Sequence, residues 1–132
     1  LAYLLDTHIA IQARDGHDKV LDALAALPGP AAISALSLAE LERGLYKTAS
    51  YTAIRQERLA ILLRHLPILP FDAAAAEAYG RIIALCGWVK GRDFDRMIAA
   101  QALITHAVLV TAAEGDFRDI PDLKIEPWSF AA

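Results

Sequence analysis

Short apolar runs alternate along this chain with longer stretches in which apolar residues recur at helical spacing. Ala2-Tyr3-Leu4-Leu5 is a compact apolar run that ends at Asp6, which predicts a buried strand. Asp18 to Leu27 carries apolar residues at helical spacing, and Pro28-Gly29-Pro30 stops it. Ala31 to Ser34 reads as a second strand. Leu36 to Thr48 and Tyr51 to Leu66 read as two helices forming an antiparallel pair. Ile68-Leu69 is a short third strand, and Asp72 suits the N-cap of a helix running to about Cys86. Gly87 and Gly91 bracket a loop. Phe94 to His106 is a further helix, Val108 to Thr111 a fourth strand, and Lys124 to Glu126 a last edge strand before Pro127-Trp128. Strands alternating with helices imply a mostly parallel sheet covered on both faces. In such sheets ligands sit outside the carboxyl ends of the strands.

Composition narrows the class. At 132 residues the chain is expected to be one domain, 1–132. It is 56% hydrophobic with a mean hydropathy of +0.35, enough for a sizeable core and for some apolar surface that meets a partner. Asp6, Arg14, Glu40, Arg64, Glu77 and Asp95 interrupt every apolar stretch that might span a bilayer. The opening run lacks a basic region and a small-residue cleavage site, so it reads as a strand and not as a signal. Cys86 is the single cysteine, which excludes an intrachain disulfide and a cysteine-rich zinc site and points to the cytoplasm. A net charge of -3 argues against broad duplex binding but is neutral about a small catalytic site for RNA.

Four acids stand out: Asp6 after the first predicted strand, Glu40 in the helix entered just after the second, Asp116 after the fourth, and Asp95 at the start of its helix. Each has an ordinary reading. Asp6 suits the N-cap of a following helix. Ser37-Leu38-Ala39-Glu40 matches a capping box. Asp95 suits the first turn of its helix, where the dipole favours an acid. Asp116 suits a loop. Taken together, acids at the ends of several strands of one sheet can converge on a point. Close carboxylates repel, so such a cluster calls for a cation among them. Mg²⁺ suits a few carboxylates plus water. His8, His17, His65 and His106 lack zinc-ligand spacing and read as surface or helix-end residues. No G-x-S-x-G, phosphate-binding glycine loop or D-x-D pair occurs; His8 stands where the second acid of D-x-D belongs.

The motifs resemble those of one family. Leu4-Leu5-Asp6-Thr7-His8-Ile9 resembles the opening of PIN domains. Ser34-Ala35-Leu36-Ser37-Leu38-Ala39-Glu40-Leu41 with Gly44 resembles their second block, and Leu69-Pro70-Phe71-Asp72 the middle of VapC- and FitB-type toxins. Asp95-Arg96-Met97-Ile98-Ala99-Ala100 resembles the third acidic block. Leu109-Val110-Thr111, Asp116-Phe117, Ile120-Pro121 and Pro127-Trp128 resemble the closing block. Five blocks in order cover essentially the whole chain.

This resemblance implies a PIN-like three-layer α/β/α fold with a central, mostly parallel sheet of four to five short strands. It also implies an endoribonuclease toxin of a bacterial toxin–antitoxin pair that uses Mg²⁺ or Mn²⁺. By motif position Asp6, Asp95 and Asp116 would ligate the metal, with Glu40 acting directly or through water. Where the family often carries a basic residue and an Asn or Asp, this chain has Ala112-Ala113, and Glu114 is the substitute fourth acid. Thr7, Arg43, Arg92 and Arg96 are candidates for phosphate contact. The implied partners are RNA, a VapB-like antitoxin and a second copy of the chain. Leu36, Leu38, Leu41, Leu45 and Tyr46, with the helix from Tyr51 to Leu66, would supply a groove for an apolar antitoxin helix, about half of them doubling as core. An antitoxin arginine would match the acid cluster in charge. The alternatives are a catalytically degenerate PIN fold that binds a partner, which the altered Ala112-Ala113 segment motivates, and a PIN nuclease working outside a toxin–antitoxin pair.

Overall fold

A computed structural model describes residues 2–132. Five strands, β1 (Tyr3–Leu5), β2 (Ala31–Ser34), β3 (Ile68–Leu69), β4 (Val108–Thr111) and β5 (Ile125–Pro127), form one sheet in the order β3-β2-β1-β4-β5. Every neighbouring pair is parallel. Six α-helices connect them: α1 (Thr7–Arg14), α2 (Asp18–Ala25), α3 (Ala35–Leu45), α4 (Thr52–Leu63), α5 (Ala73–Cys86) and α6 (Asp93–Thr105). Among the described residues no helix is long and apolar enough to cross a membrane.

Side chains of a strand alternate between faces, and the register aligns them. Leu5 lies beside Ile33 and Val110, and all three enter a core with Ile9, Val20, Leu41, Leu59 and Leu62 from α1 to α4. Leu4 lies beside Ala32 and Leu109 on the opposite face, packed with Ala78 and Ile82 of α5, Ile98 and Ala102 of α6, and Phe117. The sheet is therefore covered on both sides, which is why its central strands read as unbroken apolar runs. The turn before β2 is tight. A Cβ on Gly29 would sit 2.8 Å from that of Ala2, so only glycine fits where this turn meets the first strand.

The sheet is wholly parallel and five-stranded, at the upper end of the expectation. Helix bounds differ from the expected ones by one to three residues, mostly inward. The segment Tyr51 to Leu66 resolves into a short 3₁₀ turn at Ala49–Tyr51 followed by α4, which ends at Leu63. One helix has no legible bounds in the sequence pattern: α1 follows β1 with no intervening loop, Asp6 serving as its N-cap. The Ser37–Glu40 capping box is not formed. Ser34 caps α3 by accepting from Leu36 N, which places Ser37 and Glu40 inside the helix. Asp72, in contrast, caps α5 as expected by accepting from Ala75 N.

Candidate active site

The carboxyl ends of the central strands deliver the acids. Asp6 ends β1, donates its backbone N–H to Val110 O on β4, and accepts from Ile9 N at 3.0 Å. Its second carboxylate oxygen accepts from Thr111 Oγ1, and Thr111 Oγ1 in turn accepts from Ala113 N. Asp6 is thus the helix cap that the sequence allowed, and a place among the candidate site acids is compatible with that role. Only 5% of it is exposed, and burial pushes its carboxyl above the usual aspartate range, against the lowering effect of these hydrogen bonds.

Glu40 projects from α3 toward α1. Thr7 Oγ1 donates to Glu40 Oε1 at 2.9 Å and lies 2.9 Å from Ser37 Oγ. The network Ser37–Thr7–Glu40 replaces the capping box: the serine and glutamate of that motif meet α1 instead of their own helix end. Asp95 stands in the first turn of α6. Its carboxyl is pushed up to about 6, first by burial and then by the charges of Asp6, Asp116 and Glu40, with Arg92 opposing them. Four acids from four separated segments therefore share one electrostatic environment. Asp116 ends a short 3₁₀ turn after β4 and pairs with Arg92 at 3.0 Å. Glu114 is exposed on the same turn and is not among the charges that act on Asp6 or Asp95.

A cavity of about 550 Å³ opens at this end of the sheet, lined by Thr7, His8, Ile11, Glu40, Gly91, Asp93, Phe94 and Asp95. Asp6 and Asp116 act on its walls through their charge and are not part of the lining. His8, whose ring nitrogen contacts Ala131 O at 2.9 Å, favours the charged form of Asp6. Asp93 accepts from Tyr79 Oη and Trp88 Nε1 and so fixes the loop between α5 and α6 at the cavity's edge. His8 and Thr111 lie inside the opening and closing blocks without an assigned role, and no motif points to Phe94 or Asp93. Ser37 reads in the sequence only as a cap.

The arginines part company. Arg92 stands with the acids, and Arg43 is exposed, its guanidinium 3.6 Å from Glu40. Arg96 does not face the cavity. It is buried on α6 and held by Asp119 at 3.0 Å, so the expectation of phosphate contact there is corrected. It belongs to the core's polar pairs, because its helix turns that position away from Asp95. Of the residues expected to line a groove between α3 and α4, Leu41 and Leu45 are core, Leu36 and Leu38 pack partly buried against the two cores, and Tyr46 is exposed. A more apolar groove lies on the other side of α4. There Leu21 and Leu24 of α2 face Ile61 and Leu62 of α4 across about 570 Å³.

The donor set suits a hard divalent cation: carboxylate oxygens in excess, with repulsion that a cation would relieve. Among the described residues no three Asp, Glu, His or Cys side chains stand as a ready-made metal cage. Three of the four acids instead have a protein partner: Thr111 for Asp6, Thr7 for Glu40, Arg92 for Asp116.

Comparison with known proteins places this geometry. Residues 3–123 match the model of the PIN domain. The chain is 34% identical to Ribonuclease VapC2 of Rickettsia felis, with 97% of this chain and 98% of the relative aligned. It superposes on a crystal structure of VapBC2 from Rickettsia felis bound to a DNA fragment from their promoter, with a TM-score of 0.85 at 33% identity over 97% of this chain and 99% of that one. It superposes on FitAcB from Neisseria gonorrhoeae with a TM-score of 0.78 at 27% identity, covering 93% and 95% of the two chains. A parallel sheet with acids gathered at its carboxyl end and a match along nearly the whole chain lead to one assignment: the chain belongs to the PIN-domain family.

Proposed function

We propose that this chain is a metal-dependent endoribonuclease and the toxin of a toxin–antitoxin pair. The observation that carries the reading is the 34% identity to Ribonuclease VapC2 along nearly the whole chain, with Glu40 and Asp95 lining one cavity and Asp6 and Asp116 close enough for their charges to raise the Asp95 carboxyl. A site built to concentrate negative charge is one that takes a cation. The kinship with Ribonuclease VapC2 supports the choice of RNA as substrate.

Asp6, Asp95 and Asp116 would hold Mg²⁺ or Mn²⁺, with Glu40 joining directly or through water. Such an ion supplies Lewis-acid charge against a phosphodiester and acidifies a water. The protein's own groups do the orienting. Thr7 fixes Glu40 Oε1, and Oε2, held only by the exposed Arg43 at 3.6 Å, would accept the proton of the attacking water once that contact gives way. Thr111 and Ile9 N hold Asp6 in one rotamer. Arg92, released from Asp116, offers a guanidinium to the phosphate.

Structural relatives are complexes such as VapBC and FitAcB, and the proposed partner is accordingly a VapB-like antitoxin. The apolar groove between α2 and α4 is of a size and chemistry to receive an amphipathic helix of such a partner. Exposed Leu85 and Trp88 support self-association as a homodimer, which sedimentation would check. The proposed RNA substrate supports a cytoplasmic location.

The test is cleavage of a mixed RNA pool by antitoxin-free protein with Mn²⁺, with EDTA, and with Asp6→Asn. Cutting that needs the ion and is lost in the variant supports the reading. Folded, metal-loaded protein that leaves transfer, ribosomal and messenger RNA intact would overturn it.

A further inference from the structure

The acid cavity does not end at Glu40. A second cavity of about 650 Å³ shares Glu40 and Ile11 with it and continues between α1, α3 and α4. There the charge reverses. Arg14, Arg43, Lys47 and Arg55 line this groove, against only Asp15 and Glu40. In a chain of net charge -3, four cations in one groove are a local concentration.

Two of the four are held in place. Arg55 donates to Gly44 O at 2.9 Å and lies 5.4 Å from the centre of the Tyr51 ring. Arg14 is nearly buried, with Nε bound to Asp15 and its guanidinium reaching to Gly44. Lys47 is exposed and has no salt bridge among the described residues. Tyr46, 67% exposed, presents its ring on the same groove. A phosphodiester strand entering an acidic pocket is repelled unless neighbouring cations hold its other phosphates. From Glu40 to Tyr46 is six residues, about 9 Å at helical rise.

We propose that the groove between α1, α3 and α4 is a substrate-positioning subsite. It binds the phosphates of single-stranded RNA on one side of the scissile bond, and Tyr46 stacks a base. The proposal rests on the nuclease reading above. Fixed cations with an exposed aromatic ring fit a strand whose bases are free to stack.

The test uses Asp6→Asn protein, fluorescently labelled mixed-sequence RNA and anisotropy across a salt series. Lys47→Glu is expected to weaken binding about tenfold and to reduce the salt slope by about 0.7 for each phosphate that is no longer neutralised. Tyr46→Ala is expected to weaken it at least about fivefold. Both side chains are exposed, so thermal melts should match the parent. In the cleaving protein, Lys47→Glu should raise KM for long RNA about tenfold more than for a dinucleotide too short to reach the groove. Unaltered RNA affinity in Lys47→Glu overturns the proposal and leaves the groove to an acidic peptide. Equal losses for long RNA and dinucleotide also overturn it. If unmodified protein cuts no RNA, the nuclease reading fails while the binding arm still judges the groove. If Lys47→Glu cuts long RNA with the parent KM, only the groove proposal fails.

Discussion

Asp6 and Asp116 reach the same cluster from opposite kinds of ground. Asp6 is built into the fold. Its N–H completes the β1–β4 pairing, one carboxylate oxygen caps α1, and the other accepts from buried Thr111. Asp116 sits half-exposed at the end of a single 3₁₀ turn, and its main partner is the side chain of Arg92. One carboxylate is fixed by groups that cannot leave without unfolding. The other is held by an ion pair that a cation or a phosphate can exchange. On the proposed reading, the fixed acid would define where an ion sits, while the ion-paired one would let the shell adjust as substrate enters.

The largest expected effect breaks the rigid side. Asp6→Asn should lower RNA cleavage by on the order of a thousandfold. Asparagine still caps a helix and carries no charge to bury, so a melt should show no loss of stability. A drop of several degrees would mean that Asp6 serves the fold more than the site.

On the mobile side, Asp116→Ala should cost cleavage about tenfold to a hundredfold, while Glu114→Ala should cost less than about twofold. A reversal of that order would move the fourth acid to Glu114. Next comes the strut beneath Asp6. Thr111→Val removes the donor to Asp6 and the acceptor for Ala113 N, and should destabilise by about 1 kcal/mol. Urea unfolding measures this.

The smallest effect is one of pH. The folded protein holds the Asp95 carboxyl at about 6, above its usual 3.8, so the folded state binds the extra proton. That contribution to stability is fully present below 3.8 and is lost as pH rises through 6. Metal-free protein should therefore melt a few degrees lower at pH 7.5 than at pH 5, and Asp95→Asn should flatten the profile. Mn²⁺ should raise the melting temperature more at pH 7.5 than at pH 5. An unchanged profile in the variant would assign the trend to another group.

Asp6 and Asp95 stood out in the sequence because each stands where a strongly patterned element ends or begins, and Glu40 and Asp116 because each follows a patterned strand. Leu4-Leu5 before Asp6 and Val110-Thr111 before the closing turn are runs that only a buried parallel sheet explains. Helix α1 was harder. Its eight residues mix Ile9, Ala10 and Ala13 with Gln12 and Arg14, and no glycine or proline marks where the strand stops. The same directness displaced the start of α3, since Ser34 ends β2 and caps the helix at once. Arg96 shows a different limit. A charged side chain on a helix reads as solvent-facing unless its partner is known, and Asp119 is 23 residues away.

The sheet is completed in an order that matters while the chain is being made. β1 comes first, yet the strand that pairs its other side, β4, spans Val108–Thr111, and Asp116 follows still later. During synthesis at about 5–20 residues per second, Asp6 emerges long before Val110 O and Thr111 exist to hold it. A growing chain therefore carries three of its acids without the scaffold that brings them together. Ribosome-held chains that stop before β4 should leave RNA intact, and release of the finished chain should mark the onset of cleavage. Such a delay would separate the making of the chain from its first cut.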